Sequence, residues 1–230
     1  MLHGMRQNSR SLAKLSQNTS ILIVLGALFC WLSYNYFDKP IASYFHSDVH
    51  PSSLAYSFSQ IVTLFGDSIV SIIFIIVALT LGIFILFRQP QSRFANNLLF
   101  IAISMIMAIV LGGCFKYLLG RYRPEMLFQE GSYGFHFLTN QYLMNSMPSG
   151  HALRAFVLVT GASLIWKRLT PLFIVIGLLV CLSRLVVDCH YLSDVIFGAL
   201  LGTVVTLWVA KLYNNIIINS HQTYATLKSR

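Results

Sequence analysis

Carboxylates are scarce in this chain: Asp and Glu together supply seven of its 230 residues, and charged residues of either sign make up only 10%. An average soluble domain carries about a quarter charged residues. A chain this poor in charge cannot present a water-facing surface over most of its length. Cysteine is equally sparse, at four residues. Cys30, Cys114, Cys181 and Cys189 show no CxxC pair and no zinc-ligand spacing. That excludes a disulfide framework and a structural metal site, and the four read as ordinary buried thiols. Internal repeats and low-complexity tracts are also missing.

Apolar residues fill the space that charge leaves. They make up 56% of the chain, and its mean hydropathy is +0.69. They fall in blocks near the length of about 20 residues that a helix needs to cross the hydrocarbon. Short alternating segments of the kind that build an outer-membrane barrel are not seen. Spans are expected at residues 20–37, 68–87, 98–119, 149–166, 171–187 and 195–213. The expected fold is all-α, a bundle of about six transmembrane helices. Such closely spaced spans leave no room for a separate soluble domain. Residues 1–230 therefore read as one integral membrane domain, with tails at 1–19 and 214–230. The run ILIVLGALFCWLS resembles a signal peptide, but it lacks an A-x-A-like cleavage site and further spans follow, so it reads as a retained anchor.

The formal charge of +9 would suit a nucleic-acid binder if it formed one patch, but it does not. Arg6, Arg10 and Lys14 precede the first span, and Arg88 and Arg93 separate the second from the third. Lys167 and Arg168 separate the fourth from the fifth, and Lys211, Lys228 and Arg230 follow the last. These are alternate connections, as the positive-inside bias requires. Both termini are expected in the cytoplasm, with no nucleic-acid partner and no obligate protein partner. The opposite face then holds Asp38, Lys39, Asp48 and Asp67 in the first outer connection, the segment 120–148, and the turn 188–194.

Ionisable residues near membrane depth are costly and usually face a cavity or one another. Here they gather at three places on that outer face. KYLLGRYRP brings Lys116, Arg121, Arg123 and Pro124 to the end of the third span. Lys116 and Arg123 are seven residues apart and share a face for as long as the helix lasts. A lone Lys or Arg at a helix end commonly snorkels to the headgroups, but three on the outer side run against the positive-inside bias and point to an anion. NSMPSGHALR follows, with Pro148 at a helix start, Ser149 able to cap it, and Gly150 opening the unpaired amides to an anion. His151 stands in that first turn, where an imidazolium could protonate a leaving group. Arg154, one turn further on, suits either a structural pairing or contact with a second phosphate. In SRLVVDCHYLSD, finally, Asp194 lies four residues after His190 and can hold its Nδ1–H, freeing Nε2 as a nucleophile. Arg184 stands nearby. Lys116, Arg121, Arg123 and Arg184 outweigh Asp194, a balance that repels divalent metals and welcomes phosphate. Two-metal chemistry needs several carboxylates, and this region offers only Asp188 and Asp194. Neither a metal nor a cofactor is expected.

Lys116 with Arg123-Pro124, then Pro148-Ser149-Gly150-His151, then Ser183-Arg184 with His190 and Asp194, closely resembles the three-part signature of the type 2 phosphatidic acid phosphatases. The resemblance covers residues 116–194. It implies a lipid phosphatase working through a phosphohistidine on His190, oriented by Asp194, with His151 as proton donor. The choice of His190 over His151 as nucleophile rests on the resemblance. Lys116, Arg123, Ser149, Gly150 and Arg184 would hold the phosphoryl oxygens, and Arg121 and Arg154 are candidate substrate-binding residues. Undecaprenyl diphosphate, phosphatidylglycerol phosphate, phosphatidic acid and lipid A phosphates all suit such a site. A bacterial inner-membrane location with the site on the periplasmic or extracellular side is expected. A phosphotransferase handing the phosphoryl group to a second lipid is the alternative. A transporter fits less well, because the charges gather at one surface and no paired broken helices are evident. Vanadate-dependent haloperoxidases share a similar anion pocket but are soluble. Segment 125–147, rich in aromatics, reads either as a cap that selects the lipid or as a membrane-surface connection, with His136 at the surface. Asp188 reads as a partner for a pocket arginine.

Overall fold

The helix boundaries follow from local chemistry. A computed structural model describes the backbone of residues 2–228 and the side chains of residues 12–215. Ser53, Asp67 and Ser92 cap α3 (Leu54–Thr63), α4 (Ser68–Arg88) and α5 (Arg93–Leu119) by accepting hydrogen bonds from first-turn amides, such as that of Ile69 to Asp67 at 2.8 Å. Gly120 ends α5 in the left-handed region at φ 55°, and a β-carbon there would strike the carbonyl oxygen of His136. Pro124 opens the short α6 (Pro124–Glu130). α7 (Gly150–Ile165) and α8 (Thr170–Val186) follow, and α9 (Leu192–Lys228) closes the chain.

Among the described residues, five helical segments are long and apolar enough to cross a membrane. The expected fourth span is α7, which has 16 residues and rises about 24 Å. That is short of the roughly 30 Å hydrocarbon core. The expected break after residue 37 is absent. α1 (Leu2–Leu32) passes through a π-helical turn at Ser33–Phe37 directly into α2 (Asp38–Asp48). Asp38, expected in an outer connection, is instead fully buried. α1 and α9 also carry helix through much of the expected tails. The side chains of Arg6, Arg10, Lys228 and Arg230 lie outside the described residues.

α7 is the central helix. It packs against α5, α8 and most extensively α9, while α1 flanks α9, α4 flanks α5 and α3 flanks α8. Met105, Ala108, Leu153, Val157 and Val205 form one core cluster, and Ala152, Cys181, Leu185 and Val195 another. The outside is apolar as well: Val24, Phe29, Ile69, Ile73, Phe84, Val110 and Leu178 are all exposed. The inside holds Ser33, Asp38, Ser104, Arg121, Ser149 and Asp194. This inversion is what lipid as a solvent demands. Cys181 is buried as expected, but Cys114 belongs to the apolar exterior.

Glycines bring α7 and α9 together. A β-carbon on Gly198 would lie 2.5 Å from the Ser149 carbonyl oxygen, and one on Gly202 would collide with that of Leu153. This small-xxx-small face lets the two backbones meet and sets the start of α7 against the start of α9.

Candidate active site

The beginning of α7 is where the three sequence clusters converge. Ser149 N–H donates to the Asp194 carbonyl at 2.9 Å, joining the second cluster to the third. Arg123 Nη1 donates to the Cys189 carbonyl at 3.2 Å, joining the first to the third. Lys116 Nζ donates to the Asn145 carbonyl at 2.5 Å, beside Ser146. Lys116 and Arg123 do not share a helical face as expected, because α5 stops at Leu119. The turn at Gly120 and the backbone around residues 142–146 bring them to the site instead, with Arg123 Nε bonded to the Tyr142 carbonyl at 2.9 Å and its guanidinium 4.2 Å from that ring.

Ser149 occupies the cap position of α7, yet its side chain caps nothing. Its Oγ is buried without a hydrogen-bond partner, and so is Arg184 Nε. A buried polar atom left unpaired costs about 1–3 kcal/mol. Ser149 Oγ stands at a helix N-terminus, whose first amides are themselves unpaired, a place for an anion, and Arg184 brings a guanidinium on the last turn of α8. Arg184 Nη1 is held by the Thr63 hydroxyl, which also approaches Ser183 Oγ at 3.4 Å. Arg154 is buried and its Nε donates to the Gly66 carbonyl at 2.8 Å. Its Nη1 lies 3.1 Å from where a Gly150 β-carbon would stand, so the guanidinium covers the first turn. Gly66 in turn rests on the His151 backbone, leaving no room for a side chain. Arg154, Arg184 and His190 all contribute to the field at His151.

His190 is buried just before α9. Its Nδ1 lies 3.7 Å from Asp194 Oδ2, beyond hydrogen-bond length. Ser146 Oγ stands between them, 2.5 Å from Asp194 Oδ2 and 3.4 Å from His190 Nδ1. The direct hydrogen bond expected between them is thus replaced by a bridge through a hydroxyl that sequence spacing does not reveal. Burial, reinforced by Arg123 and Lys116 and opposed by Asp194, pushes the His190 pKa down to about 3. The imidazole is neutral at physiological pH, as a nucleophile requires.

Arg121 sits behind this arrangement and is fully buried. Nη1 donates to Asp194 Oδ1 and Nη2 to Asp38 Oδ2, both at 2.6 Å, and Nη1 also bonds Ser193 Oγ at 2.5 Å. The rings of Tyr34, Tyr133, Phe135 and Tyr191 surround its guanidinium, with centroids 4.7–5.6 Å away. Burial alone would favour the neutral form, but Asp194 and Asp38 outweigh it and raise the Arg121 pKa. All this differs from the substrate contact expected of Arg121. Segment 125–147 supplies two of the four rings, so it folds inward at Tyr133 and Phe135 while Phe137, Leu138 and Tyr142 are exposed. His136 is exposed, as expected. Asp188 pairs with His46 at 2.8 Å, not with a pocket arginine.

Sequence spacing missed Thr63, Gly66, Ser146 and Asp38. Among them only Gly66-Asp67 carries a local signal, as a turn before a capped helix.

Comparison with known proteins finds lipid phosphatases among the relatives. The chain is 27% identical over 110 residues to a lipid A 1-phosphatase of Rhizobium etli, an alignment covering 48% of this chain and 47% of that one. It is 36% identical over 113 residues to an undecaprenyl-diphosphatase of Sulfolobus acidocaldarius, covering 45% and 48%. The chain thus spans about half the length of the curated relatives it matches. Its fold is similar to that of a transmembrane PAP2-type phosphatidylglycerolphosphate phosphatase from Bacillus subtilis, with a TM-score of 0.55 at 18% identity, covering 86% of this chain and 96% of that one. It is also similar to that of LpxE from Aquifex aeolicus, with a TM-score of 0.50 at 22% identity over 76% and 94%. The PAP2 superfamily model matches residues 97–218, more than half of the 230-residue sequence and all three clusters, so this integral membrane protein belongs to the PAP2 superfamily.

Proposed function

We propose that the protein hydrolyses the phosphate of a membrane lipid through a phosphohistidine on His190. The observation that carries this reading is the pair of buried, unpartnered groups, Ser149 Oγ at the start of α7 and Arg184 Nε in the last turn of α8. They stand among Lys116, Arg123 and Arg154 and beside two histidines. Phosphate supplies the acceptor that Ser149 Oγ and Arg184 Nε lack. Lys116, Arg123, Arg184, Ser149 and the Gly150 amide hold the phosphoryl oxygens, and Arg154 adds a donor over the same turn. Fixed donors of this kind stabilise the charge on the equatorial oxygens during transfer.

In the first step His190 Nε2 attacks phosphorus, the phosphorus–oxygen bond to the lipid breaks, and His151 gives its proton to the departing oxygen. Asp194, with Ser146, keeps the proton on His190 Nδ1. In the second step His151 takes a proton from water, whose oxygen attacks phosphorus. The phosphorus–nitrogen bond breaks, and inorganic phosphate leaves. A lipid is favoured as substrate by the surroundings: apolar clefts lined by Ile61, Phe65, Leu158 and Val159 run along α7 from the Gly66 turn. A chain attached to a phosphate at Gly150 has an apolar path away from the site. The names of the relatives suggest lipid A phosphates, prenyl diphosphates or phosphatidylglycerol phosphate.

Purified protein should release inorganic phosphate from a panel of these lipids, and His190→Ala should reduce that release by at least about 10³-fold. Wild-type release by His190→Ala on every lipid of the panel would refute the nucleophile assignment.

A further inference from the structure

Asp38 belongs to α2 and lies outside the family-matching region, 97–218. It is fully buried, and every acceptor position it has is used. Oδ1 accepts from Ser33 Oγ at 2.7 Å and Ser193 N–H at 2.9 Å. Oδ2 accepts from Arg121 Nη2 at 2.6 Å, Ser193 Oγ at 2.5 Å and Tyr133 Oη at 3.3 Å. One guanidinium therefore stands between two carboxylates, with one terminal nitrogen given to each.

The charge balance of this row decides what Asp38 does. Asp194 and Arg121 alone form a neutral pair, which offers little to a positive charge appearing nearby. Attack by His190 Nε2 with the proton kept on Nδ1 turns the imidazole into a cationic phosphoimidazolium. Adding Asp38 gives the buried row Asp38, Arg121, Asp194 a net charge of minus one, facing His190 through Asp194 Oδ2 and Ser146. We propose that Asp38 is a positioning residue for the nucleophile: acting through Arg121, it leaves Asp194 with charge to spare for the His190 ring as that ring becomes cationic. The inference rests on the phosphohistidine reading above. Because all three side chains are fully buried, solvent screens their coupling little. Because the cation forms only during the chemical step, the effect falls on kcat and not on KM.

The test is phosphate release from a short-chain lipid phosphate by Asp38→Asn, which keeps the shape and removes the charge. We expect kcat to fall about tenfold, the size typical of coupled neighbours, with KM within about twofold of wild type. In an Asp194→Asn background the same change should cost nothing more, since its route is gone. A purely structural Asp38 would lower the melting temperature, leave kcat per folded molecule unchanged, and add to Asp194→Asn; that result would overturn the proposal. If Asp38→Asn does not accumulate, Asp38→Ser also removes the charge, with a smaller side chain. A fall of about tenfold in kcat at constant KM then supports the proposal, and a wild-type kcat overturns it. His190→Ala assayed alongside separates the two levels: activity there sinks the parent reading, whereas an inactive His190→Ala with a fully active Asp38→Asn sinks only this one.

Discussion

His190 shows how a single buried side chain carries a stability cost. Burial and its cationic neighbours hold it neutral, with a pKa near 3, whereas an unfolded histidine titrates near 6.5. Between those two values the unfolded chain binds a proton that the folded protein refuses. Unfolding therefore gains favour as pH falls through this window, and the stability present above about pH 6.5 is lost at up to about 1.4 kcal/mol per pH unit. Thermal unfolding in detergent from pH 7 to pH 4 should show this decline, and His190→Gln, which has nothing to titrate, should show less of it. Identical slopes would mean that the imidazole is not held neutral. Ser149 makes a second point at the same scale. A serine before a helix reads as a cap, but its hydroxyl is spare because Ser149 N–H and the α9 start already fix the turn.

The seam between α7 and α9 converts helix packing into active-site geometry. Gly198 and Gly202 allow the contact that holds Ser149 and His151 opposite His190 and Asp194. Gly198→Ala should cost about 1–3 kcal/mol in stability, the range for overpacking, and should lower activity further by displacing Ser149. Gly113 provides the control, since nothing stands within 4 Å of its missing β-carbon. Gly113→Ala in the middle of α5 should be neutral or stabilising by up to about 1 kcal/mol. Thermal melts and phosphate release on the two variants check both statements. At this scale the sequence was readable where a signal is local. Apolar block length located α5, α7 and α8 to within a few residues, and motif spacing pointed to Arg121, Arg123, Ser149 and Asp194, which the fold joins at one end of the bundle. Contacts that close only through the fold were not readable. Ser146 reaches Asp194 across 48 residues of chain and Thr63 reaches Arg184 across 121. The continuation of α1 into α2 was missed because Asp38 looks like a loop residue until Arg121 is beside it.

Across the whole molecule, α7 runs from the site at Gly150 to Ile165, next to Lys167 and Arg168. The basic connection and the site are therefore at opposite ends of one helix, and the positive-inside bias predicts a site on the outer side. With native cysteines replaced, an impermeant maleimide added to intact cells should label a Gln141→Cys variant and spare Lys167→Cys; the opposite pattern would invert the orientation. The apolar exterior and polar interior fit that placement across the bilayer. The buried row of Asp38, Arg121 and Asp194 has a further consequence for how the chain can be divided. Synthesis delivers the first acid long before its guanidinium partner, so the opening helix waits with an unmatched charge until Arg121 follows α5. A fragment trimmed to residues 97–218 would have the mirror-image defect, a cation enclosed by aromatic rings with half of its neutralising partners missing. The leading segment thus completes the charge balance of the buried row, and the unit in which that row is whole is longer than the region by which its kinship is identified.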